Sequence, residues 1–239
     1  MTTVTALLTN RAYGYPTRGA ARRRKPTVLA VLHQTANPSA GPMEERNYAN
    51  RAGSMGPSAT AYVGRDGTVV RSIDPNKYAA WSQGDVAHPD ALAQAHIVAG
   101  VNFNELVYES IEVCGSGTQP FTTAQFEAVA QLVAAAHRAT GLPIERAHAL
   151  AHADVNSVSR ASDLWPASTR ETYMTRVIKR AHDICFPPTV TVTVKSGDSL
   201  FAIAAAHGLS LAALLAFPEN ARYRANPGLI HPGDVVRVK

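Results

Sequence analysis

The sequence predicts an α/β fold, a mixed central β-sheet flanked by helices, followed by a small C-terminal βααβ unit. Three observations carry this expectation. The run Val28-Leu29-Ala30-Val31-Leu32 is apolar, β-branched and unbroken, the pattern of a strand buried on both faces. Residues 122–139 and 168–185 repeat apolar side chains every three or four positions, the pattern of two helices that cover such a sheet. Phe186-Pro187-Pro188-Thr189 then breaks the chain by composition, and about fifty residues with a strand, helix, helix, strand pattern follow. The boundaries expected are an arm over residues 1–26, a large domain over 27–186, a linker over 187–190 and a small domain over 191–239.

Taken in order, residues 1–26 carry Gly, Pro and Arg without periodicity and read as an arm laid over the domain or partly mobile. His33 ends the first apolar run, a usual place for a site residue. Turn residues 37–42 lead to a helix over 43–52, with Glu44 and Glu45 in its first turn where the helix dipole favours them. Two β-rich runs, 59–63 and 68–73, flank Gly64-Arg65-Asp66-Gly67, a hairpin signal. Tyr78-Ala79-Ala80-Trp81 reads as a short edge piece whose indole lines a groove or packs inward. Residues 82–106 read as a long loop with at most a helical turn at 90–96. Residues 110–114 alternate, which puts Ile111 and Val113 on one face and Glu112 on the other, toward solvent or toward a site. Thr122-Thr123-Ala124-Gln125 caps the first long helix and Gly141-Leu142-Pro143 stops it. The second long helix packs Tyr173, Val177, Ile178 and Ala181 on one face.

In the small unit a strand over 190–194 turns at Ser196-Gly197-Asp198-Ser199 into a helix with Leu200, Ile203 and Ala204 inside. Ser210 caps a second helix with Leu211, Leu214 and Leu215, and Val235-Val236-Arg237-Val238 closes the unit as a strand.

Composition bounds the function. The net charge is +5 with a pI near 9.4, which favours polyanionic partners, nucleic acid, anionic membrane or cell-wall polymers among them. Arg22-Arg23-Arg24-Lys25 is the one dense basic run, and no basic and aromatic pattern of a nucleic-acid module follows it, so nucleic acid is not expected. No apolar run approaches the roughly 18 residues that span a bilayer, so membrane insertion is not expected either. Residues 1–8 lack the basic start and apolar length of a secretory signal, so the expectation is synthesis in the cytoplasm without a signal peptide. Cys114 and Cys185 are too few for a disulfide framework and read as half-buried thiols. A monomer is expected.

The chemistry concentrates in Ala151-His152-Ala153-Asp154-Val155 and Ser159-Arg160-Ala161-Ser162-Asp163-Leu164-Trp165-Pro166. His152 and Asp163 stand eleven positions apart with small polar residues between them, as in a loop that folds back on itself. His33 supplies a third ligand from the end of its strand. Two imidazoles and a carboxylate suit Zn²⁺ with its fourth position open, a catalytic rather than a structural set. His148, four residues before His152, offers the alternative of an i, i+4 pair on one helix.

Leu32-His33-Gln34-Thr35, Arg65-Asp66-Gly67-Thr68-Val69-Val70, Ala80-Trp81, Ile111-Glu112-Val113-Cys114-Gly115 and His152-Ala153-Asp154-Val155 with Asp163 come in the order found in the zinc-dependent N-acetylmuramoyl-L-alanine amidases. Residues 27–170 resemble that amidase-2 family, which is related to the peptidoglycan recognition proteins. The resemblance implies Zn²⁺ held by His33, His152 and Asp163, Glu112 as general base, and Tyr62 and Trp81 beside the substrate. It leaves His148 in the preceding segment, so the pair on one helix ranks below the loop. It also shows departures. The family's catalytic lysine falls at Ala161, with Arg160 one residue back as the cation left to stabilise an oxyanion. Histidines common in the family fall at Ser82 and Thr60. The small unit resembles the LysM module through Val194-Lys195-Ser196-Gly197-Asp198-Ser199-Leu200, Ile203-Ala204, Leu214-Leu215 and Leu229-Ile230-His231-Pro232-Gly233. That resemblance implies binding of N-acetylglucosamine glycan by Gly197, Asp198, Ser199, Ile230 and Pro232.

The expected function is hydrolysis of the amide between N-acetylmuramic acid and L-alanine in peptidoglycan, with the chain anchored on the bacterial wall by its LysM module. A phage endolysin is favoured over an exported autolysin. The alternative is a non-catalytic peptidoglycan-recognition protein. A thiol peptidase using Cys114 and His152 ranks below both, because Cys114 falls in a strand with no helix N-terminus to lower its pKa.

Overall fold

The apolar run predicted as a doubly buried strand is β2 (Val28–Gln34), and from Val28 to His33 every residue is at most 2 % exposed. The structure, a computed structural model, describes residues 19–21, 24–49, 58–83, 86–116, 119–161, 163 and 167–239. The chain divides into two compact units after Cys185.

In the first unit β2 lies inside a five-stranded sheet with β3 (Ala61–Val63), β4 (Val69–Arg71), β6 (Val107–Val113) and β7 (Ala149–Ala151), in the order β4-β3-β6-β2-β7. Four strands run parallel and β4 alone is antiparallel, paired with β3 through the hairpin that Asp66-Gly67 signalled. A parallel sheet needs cover on both faces. One face packs on α3 (Thr123–Thr140) and α5 (Ala167–Cys185), where Leu32, Ile111 and Val113 meet Leu132, Val133, Met174 and Val177. The other face carries α1 (Pro42–Ala49), α2 (Ala91–Gln94) and the single turn α4 (His152–Val155). α3 opens on a reciprocal capping box between Thr122 and Gln125 and closes at Gly141 with φ +73°. Leu132 is fully buried in that interface, so Leu132→Ala is expected to cost about 2–5 kcal/mol in a denaturant melt, the usual charge for an unfilled core cavity.

Several expectations need correction. Part of the arm is β-structure, for β1 (Gly19–Ala21) pairs antiparallel with β5 (Tyr78–Ala80) in a separate two-stranded sheet. The segment 82–106 holds a second short element besides α2, a 3₁₀ helix over Phe103–Leu106 capped by Asn102. β6 starts three residues earlier than its alternation suggested, at Val107. β7 was not foreseen, and His152 opens a helical turn rather than lying in an open loop. Residues 50–52 of the expected first helix and Trp165-Pro166 lie outside the described residues.

The second unit pairs β8 (Thr191–Thr193) antiparallel with β9 (Val235–Arg237) and places α6 (Leu200–Ala206) and α7 (Leu211–Ala216) between them in sequence. Val194, Leu200, Ile203, Leu214, Tyr223 and Val236 form its core. A 3₁₀ helix over Pro218–Tyr223, absent from the sequence reading, carries Asn220 fully buried. The Asn220 amide donates to the Leu214 and Arg237 carbonyls, each at 2.8 Å, and accepts from the Arg237 N–H at 2.9 Å. Asn220→Ala strands those groups, so the unit is expected to lose about 1–3 kcal/mol, read by thermal denaturation. Among the described residues no helix is long and apolar enough to cross a membrane.

Candidate active site

Register across the parallel strands aligns four side chains. Tyr62 on β3 pairs with Glu112 on β6, Glu112 pairs with His33 on β2, and Leu32 pairs with Ala151 on β7, so His152 follows β7 where His33 follows Leu32. The row lies toward the carboxyl ends of these strands, where open α/β sheets gather their sites. Tyr62, Glu112, His33 and His152 line a cleft of about 170 Å³ together with Asp163 and Arg160. A larger cavity lies between α3 and α5, walled by Phe121, Phe126, Tyr173 and Arg176. Among the described residues its lining holds no histidine or carboxylate, whereas the smaller cleft gathers two histidines and three carboxylates.

Hydrogen bonds fix the two imidazoles and the carboxylate. His33 Nδ1 and His152 Nδ1 stand 2.8 Å apart, and His152 Nδ1 is 3.1 Å from Asp163 Oδ2. One ligand atom from each of the three residues lies within 4.8 Å of the others, a group able to hold a metal ion. The other atom of each is occupied elsewhere. Asp163 Oδ1 accepts the Gln34 N–H at 2.8 Å, and His33 Nε2 lies 3.2 Å from Ser110 Oγ. His152 Nε2 is 3.0 Å from the Gln83 carbonyl, which can only accept, so Nε2 carries the proton. In a neutral ring Nδ1 then holds a lone pair facing a carboxylate oxygen and a second ring nitrogen. That point needs positive charge, from a proton or a metal cation, and the donor set fits Zn²⁺. Burial, with His152 and Arg160 close by, holds His33 well below the usual imidazole range and therefore neutral, the state that ligates.

The turn that presents His152 is itself clamped. Asp154 is 3 % exposed; its Oδ2 accepts the Ala151 N–H at 2.7 Å, and Arg146 grips it through Nη1 at 2.8 Å and Nη2 at 3.0 Å. This bond to Ala151 starts the helical turn at His152 rather than letting the chain run on as loop.

Glu112 presents an orphan. Its Oε2 is buried without a hydrogen-bond partner. Burial, then repulsion from Asp163 and Glu45, pushes its carboxyl up to about 8. The Tyr62 hydroxyl is likewise buried without a partner, and burial and Glu112 raise its pKa well above the ordinary phenol range. Arg160 is exposed at the rim of the cleft.

The remaining sequence candidates divide. Trp81, 41 % exposed, is not among the residues lining the cleft, while its neighbour Ser82 is. His148 pairs with Glu145 at 3.1 Å and stacks edge-on against His96, away from the His33 and His152 pair. Glu45, Tyr48 and Gln83 were missed. Glu45 and Tyr48 reach the cleft from α1, where the sequence read Glu45 only as a charge suiting the helix dipole. In the second unit Val194 donates to the Asp234 carbonyl and accepts from the Gly233 N–H, both at 2.8 Å, which ties the loop of Gly197, Asp198 and Ser199 to that of Ile230 and Pro232 at its root. Ser199 caps α6 and Asp198 accepts the Lys195 N–H at 2.7 Å, while Ile230 packs on the core and Pro232 is exposed.

Cys114 is buried, and burial with the carboxylates of Glu45 and Glu112 pushes its thiol up to about 12. At neutral pH it stays a thiol, so iodoacetamide on the native protein is expected to label the half-buried Cys185 first, read by mass spectrometry.

A parallel-centred sheet with two imidazoles, a carboxylate and an unpaired glutamate at its carboxyl edge defines a hydrolase-type centre. The N-acetylmuramoyl-L-alanine amidase family profile matches residues 23–166, and a LysM domain profile matches residues 192–239. The AmpD crystal structure superposes with TM-score 0.52 at 16 % identity, covering 71 % of this chain and 94 % of that one. A mutant form of PlyL gives 0.50 at 18 % identity, covering 70 % and 90 %. Staphylococcus aureus hydrolase AmiA, solved with its ligand, gives 0.50 at 17 % identity, covering 74 % and 84 %. At these identities the likeness is one of fold. No curated protein matches the chain significantly. The chain belongs to the N-acetylmuramoyl-L-alanine amidase family: it is a peptidoglycan amidase that carries a LysM wall-binding domain.

Proposed function

We propose that this amidase hydrolyses the bond between N-acetylmuramic acid and L-alanine with a zinc ion held by His33, His152 and Asp163. The observation that carries the reading is the approach of His33 Nδ1, His152 Nδ1 and Asp163 Oδ2 to one point beside an unpaired glutamate. Bound there, Zn²⁺ would supply an activated water and polarise the scissile carbonyl. Glu112 would serve as the group that takes a proton from the attacking water and returns it to the departing nitrogen. A carboxylate with a buried oxygen free of hydrogen-bond partners is available to take that proton and pass it on. Arg160, a fixed cation at the rim, faces the developing oxyanion in place of the lysine that this chain lacks. Tyr62 offers its hydroxyl to the substrate from the other end of the row, and Trp81 flanks the approach.

The LysM unit holds the glycan through Gly197, Asp198, Ser199, Ile230 and Pro232, which raises the effective substrate concentration at the cleft without altering its chemistry. The full reading is a phage endolysin acting as a monomer, with domains over residues 27–186 and 191–239 joined by residues 187–190. A neighbouring gene for a membrane-permeabilising protein is the expected genomic observation. The direct test is digestion of purified peptidoglycan followed by mass spectrometry of the soluble products. Stem peptides that begin with a free L-alanine amine, beside sugar chains of undiminished length, are the expected result; shortened sugars or peptides cut internally would contradict it.

A further inference from the structure

Gln83 is 1 % exposed and meets both imidazoles. Its backbone carbonyl receives the His152 Nε2–H at 3.0 Å. Its side-chain Nε2 lies 3.4 Å from His33 Nε2 and 3.4 Å from Ser110 Oγ, and its Oε1 is buried with no partner. In this orientation the amide donates to His33 Nε2, so the His33 proton sits on Nδ1, between the two imidazoles. Without a metal, that proton is what the His152 Nδ1 lone pair accepts. A half-turn of the amide exchanges its two ends. Oε1 then accepts a proton on His33 Nε2, the orphan oxygen gains a donor, and the His33 lone pair moves to Nδ1, the atom 2.8 Å from His152 Nδ1. The Ser110 hydroxyl, also bonded to Ser82, rotates to suit either state.

We propose that Gln83 is the positioning residue of the metal centre, holding His152 by its backbone and setting the tautomer of His33 by turning its side-chain amide. The inference rests on the zinc reading above and goes beyond it. Zinc binding exchanges one His33 tautomer for the other with no net proton gained or lost at that ring, and the buried amide that accepts the relocated proton belongs to Gln83. Partners that orient a ligating imidazole are worth about 10- to 100-fold in metal affinity.

The test uses the full chain. Zinc affinity is measured by competition with a chromophoric chelator for wild type, Gln83→Met and Gln83→Glu, and the ring nitrogens of His33 are followed by ¹⁵N NMR with and without zinc. Gln83→Met keeps the length and removes both polar atoms, and a loss of about 10- to 100-fold is expected. Gln83→Glu keeps an acceptor opposite His33 Nε2 and is expected to hold zinc better than Gln83→Met. A merely structural role gives the reverse order, since a buried apolar side chain is tolerated better than a buried carboxylate. The spectra should show the His33 proton on Nδ1 without metal and on Nε2 with it; this readout needs only wild type and stands if Gln83→Met fails to fold. Wild-type affinity in Gln83→Met, or one tautomer in both states, overturns the proposal. A wild type that takes up no zinc overturns the zinc reading itself, a distinct result.

Discussion

Glu112→Gln is expected to purify with its zinc and to lose about 10²- to 10⁴-fold in turnover, the usual worth of a positioned general base. The same substitution is expected to stabilise the metal-free protein, in a way that depends on pH. The Glu112 carboxyl titrates near 8 in the folded chain, against about 4.3 when unfolded. Between those values the folded state holds a proton that the unfolded state has lost, so stability is full below the unfolded value and falls as pH rises toward 8. The slope is at most about 1.4 kcal/mol per pH unit. Glutamine carries no such penalty. Melting temperatures of the two metal-stripped proteins should converge below the unfolded value of about 4.3 and separate steadily from there toward pH 8, with the variant higher. Coincidence across the whole range would contradict the raised titration of Glu112, and full turnover in the variant would remove it from the proton transfer.

His33→Ala and Asp163→Ala are expected to lose metal and activity together, by on the order of 10³-fold or more in turnover, because several kcal/mol of transition-state stabilisation leaves with the ion. The two should differ in stability. His33 is buried in the middle of the row, and its removal leaves a void beside Ser110 and Gln83. Asp163 reaches the site from the segment after α4 and holds the Gln34 N–H through Oδ1. Asp163→Asn preserves that bond while removing the charge, so its zinc affinity should lie between wild type and Asp163→Ala. Zinc content by elemental analysis beside turnover checks the pair. Activity that survives in either alanine variant without bound metal would contradict the assignment.

Elements that announce themselves locally were legible in the sequence. β2 is an unbroken apolar run, α3 begins and ends on its own capping residues, and the alternation of β6 turned Glu112 away from the core that holds Ile111 and Val113. β7 was not, because Ala149-Leu150-Ala151 has no period to read and is a strand only through its pairing with β2. β1 is in the same position, three residues made a strand by β5. His33, His152 and Asp163 stood out in the sequence as candidate ligands by chemistry and resemblance, but their approach depends on register between strands far apart in sequence. Gln83 could not be found at all from the sequence. Its role comes from a backbone carbonyl and from an amide that reads, on paper, as one polar residue in a long loop.

The most direct measurement is zinc content of the purified full-length protein beside release of new L-alanine amino termini from peptidoglycan, before chelation, after it, and after zinc is returned. One zinc per chain, with release that stops on chelation and recovers on addition of the metal, is the result the zinc centre requires. Release that continues unchanged in a chelated, metal-free protein would contradict it.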